Sequence, residues 1–211
     1  MKKLILLTTF LLPFIMFSQT QIGADINGEA TNDWSGRSVS FSSDGTIVAI
    51  GATYNDDGPG SNSGHVKVYQ YSDSSWSQLG SDIDGEAASN QSGYSVSLSS
   101  DGTIVAIGAT GNDGNGSNSG HVRVYQYSSG SWTKLGADID GEATDDQSGY
   151  SVSLSSDGTI VAIGATGNDG NGSNSGHVRV YQYSSGSWTK LGADIDGEAT
   201  DDQSGYSVSL S

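Results

Sequence analysis

The chain has 211 residues, 31 of them glycine, and sets 24 acidic residues against 8 lysine or arginine, for a formal net charge of −16. Without cysteine it has no disulfide framework, thiolate metal site, iron–sulfur cluster or cysteine nucleophile. So acidic a chain is repelled by phosphate backbones, and nucleic acid is excluded as an expected partner. Serine and glycine are abundant enough to permit disorder, but the apolar residues recur in a pattern that argues for folded structure.

The first element is an address. Lys2 and Lys3 precede an apolar run from Leu4 to Phe17, and Ser18-Gln19 follows. A basic start, an apolar core and a small residue describe a secretory signal peptide over residues 1–18. The run is too short for a membrane span, Pro13 interrupts it, and no later run is longer. The expectation is an exported protein with no transmembrane segment, secreted or held at the cell surface.

Residues 19–211 read as a tandem repeat. Trp76, Trp132 and Trp188 recur at a spacing of 56, as do His65, His121 and His177, the only histidines. The units are 21–77, 78–133, 134–189 and a partial 190–211. The second and third differ at only five positions, and the first is the most diverged.

Within a unit the period is two. Tyr94 to Ser99 alternates apolar and polar, as a half-buried strand does. Ser100-Asp101-Gly102 supplies a tight turn. Thr103 to Ala109 is nearly all apolar and reads as a strand covered on both faces. Gly111 to Gly120 is a Gly/Asn/Asp/Ser loop. His121 to Tyr127 alternates again, with Val122 and Val124 on one face and Arg123, Tyr125 and Tyr127 on the other. After a turn at Ser129-Gly130, Trp132 begins a more polar fourth strand that runs toward Ile139. No segment after residue 18 has helical periodicity.

A four-stranded meander cannot bury both of its faces alone. The expected fold is all-β, an incomplete β-propeller of roughly 56-residue four-stranded antiparallel blades, with three complete units and partial ends. An open β-solenoid is the alternative. Three complete units are too few for a closed ring, so the chain is expected to be a fragment of a longer protein or a truncated copy.

Ser148-Gly-Tyr-Ser-Val-Ser-Leu, Asp157-Gly, Val161-Ala-Ile-Gly-Ala165 and Gly176-His-Val-Arg-Val-Tyr181 together resemble the FG-GAP repeats of integrin-α-type propellers. The closer resemblance is to a secreted bacterial branch of that family. Phe-Gly is Ser-Gly here, and Gly-Ala-Pro is Gly-Ala-Thr. The resemblance implies a propeller with adhesion-type roles. It does not carry over the family's calcium loop, because the corresponding hairpins hold one carboxylate each (Asp44, Asp101 and Asp157) and calcium takes six to eight oxygen ligands.

The connector between units is the better calcium candidate, through Asp138, Asp140, Glu142 and Asp146, whose spacing around Gly141 could fold over a hard cation. Against this, the position of Asp146 is Asn90 one unit earlier, as suits a solvated turn. The histidines each open a third strand, away from the axis, and read as structural. The tryptophans either cap the outer edge of each blade or form a strip for ligand contacts. No nucleophile elbow or isolated carboxylate pair suggests catalysis, and no cofactor other than calcium is implied. Only the first unit breaks the repeat, at Trp34, Arg37, Tyr54, Asp57, Lys67 and Asp73. The expected function is that of a non-enzymatic binding or adhesion module taking a protein or glycan at the blade-face loops. The alternatives are an extracellular propeller enzyme acting on a polymer and a ligand-free spacer.

Overall fold

The computed structural model describes residues 20–211, and the signal peptide expected at 1–18 lies outside them. The described chain is all-β. Its first sheet contains β1 (Ser35–Phe41), β2 (Ile47–Ala52), β3 (His65–Ser72) and β4 (Ser75–Gln78) in sequence order, and a two-residue β5 (Ile83–Asp84) pairs with β3. The second sheet repeats this with β6 (Ser92–Leu98), β7 (Ile104–Ala109), β8 (His121–Ser128), β9 (Ser131–Lys134) and β10 (Ile139–Asp140). The third has β11 (Ser148–Leu154), β12 (Ile160–Ala165), β13 (His177–Ser184), β14 (Ser187–Lys190) and β15 (Ile195–Asp196). All pairings within the sheets are antiparallel. The fourth strand expected to run toward Ile139 does so in two pieces, because after the Leu135 amide bonds the Val124 carbonyl of β8 (2.7 Å) the chain leaves the ladder and rejoins it at Ile139, opposite Val122.

The sheets stand side by side with their first strands innermost, the arrangement of propeller blades, and among the described residues they do not close into a ring. Alternation in those first strands serves two neighbours. Val96 and Leu98 pack back onto Ile47, Ala49, Val66 and Val68 of the first blade. Val152 and Leu154 do the same onto Ile104, Ala106, Val122 and Val124 of the second. Val122 and Val124 are 0% and 1% exposed, and each such burial contributes about 1.5–3 kcal/mol relative to an exposed side chain. On the first blade no sheet packs against the corresponding face among the described residues, and Val39 and Phe41 are 49% and 55% exposed.

The serines between those apolar residues point the other way and stitch the blades together. Ser95 Oγ donates to the Gly149 carbonyl (2.7 Å), and Ser97 Oγ accepts from the Leu154 amide (2.9 Å). Ser38 and Ser40 make the same two bonds to Gly93 and Leu98. The Gly-Ala motif makes this approach possible. A Cβ on Gly108 would stand 2.1 Å from the Gly149 carbonyl oxygen, so only glycine lets the next inner strand come this close.

In the three blades the Ser-Gly that opens the inner strand sits at a β-bulge. The register of β6 on β7 shifts between Ser92 and Ser95, with Gly93 at φ +82°, a conformation open to glycine. The bulge takes Tyr94 out of the ladder and delivers it to the axial end of the blade.

Candidate functional site

Two constellations recur from blade to blade. The first lies between blades, on β3, β8 and β13. Arg123 is buried and sits between two carboxylates. It pairs with Glu86 and forms a two-pronged bond to Asp138 (3.2 and 3.1 Å), which also accepts from Lys134 (2.7 Å). Arg179 pairs in the same way with Glu142 but meets Asp194 only as an ion pair at 3.4 Å, its buried Nε making no hydrogen bond, and Lys190 joins Asp194 at 2.6 Å. In the first blade Lys67 takes the same place, held by Glu29 and, at 3.6 Å, by Asp82. Lys67 was expected to mark divergence of the first unit, and the structure makes it the working counterpart of the arginines.

One buried histidine joins each group. The sets Glu29–His65–Asp82, Glu86–His121–Asp138 and Glu142–His177–Asp194 bring their ligand atoms within 4.8 Å of one another. The histidines do not meet at the axis, as the sequence implies. Burial pushes the His121 and His177 imidazoles below their usual pKa, and the nearby carboxylates oppose this only in part. Burial works against ionisation of Asp138, yet the Lys134 hydrogen bond and the Arg123 charge outweigh it and hold this carboxyl below its usual range. In each group the carboxylates already have a cationic partner from the chain.

The connector does not gather Asp138, Asp140, Glu142 and Asp146 around one point. No three-residue group of the kind just described contains two of the four. Asp138 belongs to the second blade's ion pairs, whereas Glu142 reaches across to Arg179 of the third. Asp140 is exposed, on β10 opposite His121. Asp146 is buried and accepts from the amides of Glu142 (3.2 Å) and Ala143 (3.0 Å) and from Asn168 Nδ2 (3.3 Å). Its job is to cap a turn, which explains why asparagine can stand at this position in the unit before.

The hairpin aspartates are engaged locally too. Asp157 accepts from the Ser155 hydroxyl (2.7 Å) and from the Thr159 amide and hydroxyl (3.0 and 2.8 Å), and these bonds hold its carboxyl at about 2. The tryptophans cap the outer edge. Trp132 Nε1 donates to the Leu79 carbonyl of the preceding blade (2.7 Å), and Trp188 does the same to Leu135.

The second constellation is at the axis, where the inner strands begin. Tyr94, Tyr150 and Tyr206 follow one another around it with ring centroids 5.1 and 5.0 Å apart and planes tilted by 49° and 48°. Arg37 holds the equivalent place in the first blade, its guanidinium 4.1 Å from the centre of the Tyr94 ring. Together with the residues that follow them, these side chains line an open cleft of about 340 Å³. Hydrogen bonding with the Tyr206 and Tyr94 hydroxyls pushes the Tyr150 phenol well above its usual range, so it stays neutral. Among the described residues Arg37 is the one basic side chain with no carboxylate within ion-pair distance. Trp34 and Tyr54, also particular to the first unit, meet edge to face at the same end (4.6 Å), with Trp34 55% exposed. Buried Thr53 lacks a hydrogen-bond partner here, whereas its counterpart Thr110 donates to Gln91, the residue that stands where the first unit has Trp34.

Sequence alone marks Arg37 as a departure of the first unit but does not place it with the tyrosines in one cleft. The signal is present, a tyrosine after Ser92-Gly93, Ser148-Gly149 and Ser204-Gly205 and an arginine after Ser35-Gly36. Without knowing that these positions face one axis, the tyrosines looked like ordinary strand residues.

Comparison with known proteins agrees with the architecture. Among solved structures, a protein assigned as a 6-phosphogluconolactonase from Bacteroides uniformis is similar at 16% identity, with a TM-score of 0.57 over 82% of this chain and 44% of that one. The periplasmic gluconolactonase of Pseudomonas aeruginosa is similar at 20% identity, with a TM-score of 0.50 over 77% of this chain and 39% of that one. The chain thus spans less than half the length of either, and likeness at this identity shows the fold alone. No curated protein matches the chain. A family model for the FG-GAP repeat matches residues 26–69, 82–125 and 133–181, in step with the three sheets. With repeats covering more than half its length and recurring once per blade, the chain belongs to the FG-GAP repeat family.

Proposed function

We propose that the protein is an exported, non-enzymatic binding module of adhesion type, which takes its ligand at the axial end of the blades. The cleft carries this reading. It combines exposed aromatic faces, neutral phenol hydroxyls and an unpaired guanidinium in one concave surface, the usual composition of a recognition site. The carboxylates that could do acid–base work are instead paired with arginine and lysine between blades, where they hold the fold, and the histidines are buried beside them. Export rests on the leader-like residues 1–18.

The test is a binding screen of the full exported chain against arrays of glycans and of extracellular matrix proteins. Tyr150→Ala should abolish the strongest interaction while the far-UV spectrum is kept. Turnover of a polymer or lactone by the wild type would overturn the non-enzymatic assignment. Retained binding in Tyr150→Ala would move the ligand elsewhere.

A further inference from the structure

The axial cleft also says what kind of ligand would fit it. We infer that its ligand is a saccharide bearing a uronate carboxylate, with the carboxylate on Arg37 and the sugar rings against Tyr94 and Tyr150. This rests on the cleft being the binding site.

The argument for a carboxylate begins with charge. In a chain of net charge −16, every other described lysine or arginine is matched by an acidic side chain. Arg37 alone is not. Stacking on Tyr94 occupies one face of its guanidinium, and the N–H edge remains free for the two-pronged contact that suits a planar carboxylate. One cation in a strongly acidic surround does not suit a polyanion. A sulfated or phosphorylated polymer would meet repulsion from the rest of the surface at every further charge. A ligand with one well-placed negative group and an otherwise neutral body is favoured.

The argument for a sugar comes from the walls. The same aromatic face and hydroxyl return in successive blades about 5 Å apart. A repeating wall of neutral donors and ring faces suits a ligand made of repeating hydroxylated rings. Nearby, the exposed Trp34 extends the aromatic surface on the Arg37 side. The serines beside the tyrosines give no further selectivity, since Ser38, Ser95 and Ser151 already donate to carbonyls of the next blade. The volume of about 340 Å³ holds a short stretch of such a chain and falls at the small end of ligand sites.

The experiment is titration calorimetry of the full exported chain with otherwise neutral oligosaccharides that carry a single galacturonate, mannuronate or glucuronate residue. The isosteric methyl esters, neutral oligosaccharides and an acidic peptide are run beside them. At least one uronate should bind, and its methyl ester should bind at least about tenfold more weakly. Arg37→Gln should cause the same loss, and Arg37→Lys a smaller one. Because Arg37 is exposed, its replacement leaves the fold intact, and thermal unfolding checks this. Tyr150→Phe keeps the ring and should retain most of the affinity, while Tyr150→Ala should lose it. Binding should weaken with added salt.

If no uronate binds, or if Arg37→Gln leaves uronate affinity unchanged, the inference is wrong. If neutral sugars or the acidic peptide bind better, and Tyr150→Ala abolishes that binding, the cleft remains a binding site and only its ligand class has been misread. If nothing binds at the cleft in this or the broader screen, the binding-module reading falls with it.

Discussion

Replacing Gly108 with alanine tests what holds the blades together at the axis. Gly108 has an ordinary strand conformation, so alanine is not strained there, and reduced unfolded-state entropy would even favour it by about 0.4–1 kcal/mol. The obstacle is the neighbouring blade. The new Cβ would stand 2.1 Å from the Gly149 carbonyl oxygen, where an ordinary contact needs at least 3.4 Å, so the inner strands must separate by roughly 1 Å. Forcing methyl groups into packed interfaces costs about 1–3 kcal/mol. The same oxygen accepts from Ser95 Oγ at 2.7 Å, and losing that bond adds about 0.5–1.5 kcal/mol. After the entropic gain, the expected net loss is about 0.5–4 kcal/mol. Urea unfolding followed by far-UV dichroism and tryptophan fluorescence measures it. In a double-mutant cycle Ser95→Ala should cost almost nothing, or even be favourable, once Gly108→Ala is present, because the new Cβ displaces the serine's acceptor and itself stands 2.4 Å from Ser95 Oγ. If Gly108→Ala is within about 0.5 kcal/mol of the wild type, or if the two losses simply add, the close-approach argument fails.

Three further outcomes follow from the same geometry. Arg123→Ala leaves Glu86 and Asp138 without their shared partner and should cost about 1–3 kcal/mol, less than a fully buried pair because Glu86 is 44% exposed. Arg123→Lys should recover most of this, since Lys67 does the same work in the first blade, and unfolding of the two variants compares them directly. Asp157 is held at about 2, below its ordinary 3.8, so its contribution is fully present above pH 4 and lost as pH falls through 2. The urea midpoint of the wild type should therefore drop between pH 4 and pH 2, and Asp157→Asn should be weaker than wild type at pH 7 but not at pH 2. Trp132→Phe keeps the ring packing and removes the bond to the Leu79 carbonyl, at a cost of about 1 kcal/mol, and a loss above 3 kcal/mol would mean that the indole packs in a way phenylalanine cannot match.

How much of this the sequence carries depends on whether the relevant partners lie within one repeat or in two. Strand order, hairpins and the doubly buried second strand all follow from residues close together. Asp101-Gly102 turns and Ile104 to Ala109 is buried throughout, as the structure bears out; Tyr94 to Leu98 forms the expected strand but is buried on both faces from Ser95 on, where alternation predicts one solvent face. What joins the blades was not legible in the same way. Ser95 and Ser97 look like the solvent side of a half-buried strand, yet they are the residues that bond to the next blade, 54 and 57 positions away. Near-identity of the units hides such partners, because every candidate appears again one repeat later. Arg123 could in principle pair with Glu86, 37 residues before it, or with Glu142, 19 residues after it, and nothing in the sequence chooses. The fold does, because the connector carrying Glu86 leads from the first blade onto the second and lays Glu86 beside β8. The same crossing scatters the acidic run at 138–146, which looks like one loop able to wrap a cation and is divided between two interfaces and a turn. The axial cleft follows this rule as well. Arg37, Tyr94, Tyr150 and Tyr206 each come from a different unit, so no stretch of sequence contains the site. In a propeller, therefore, the blade can be read locally, but the inter-blade contacts and the binding surface can be read only after the repeats have been placed around their axis.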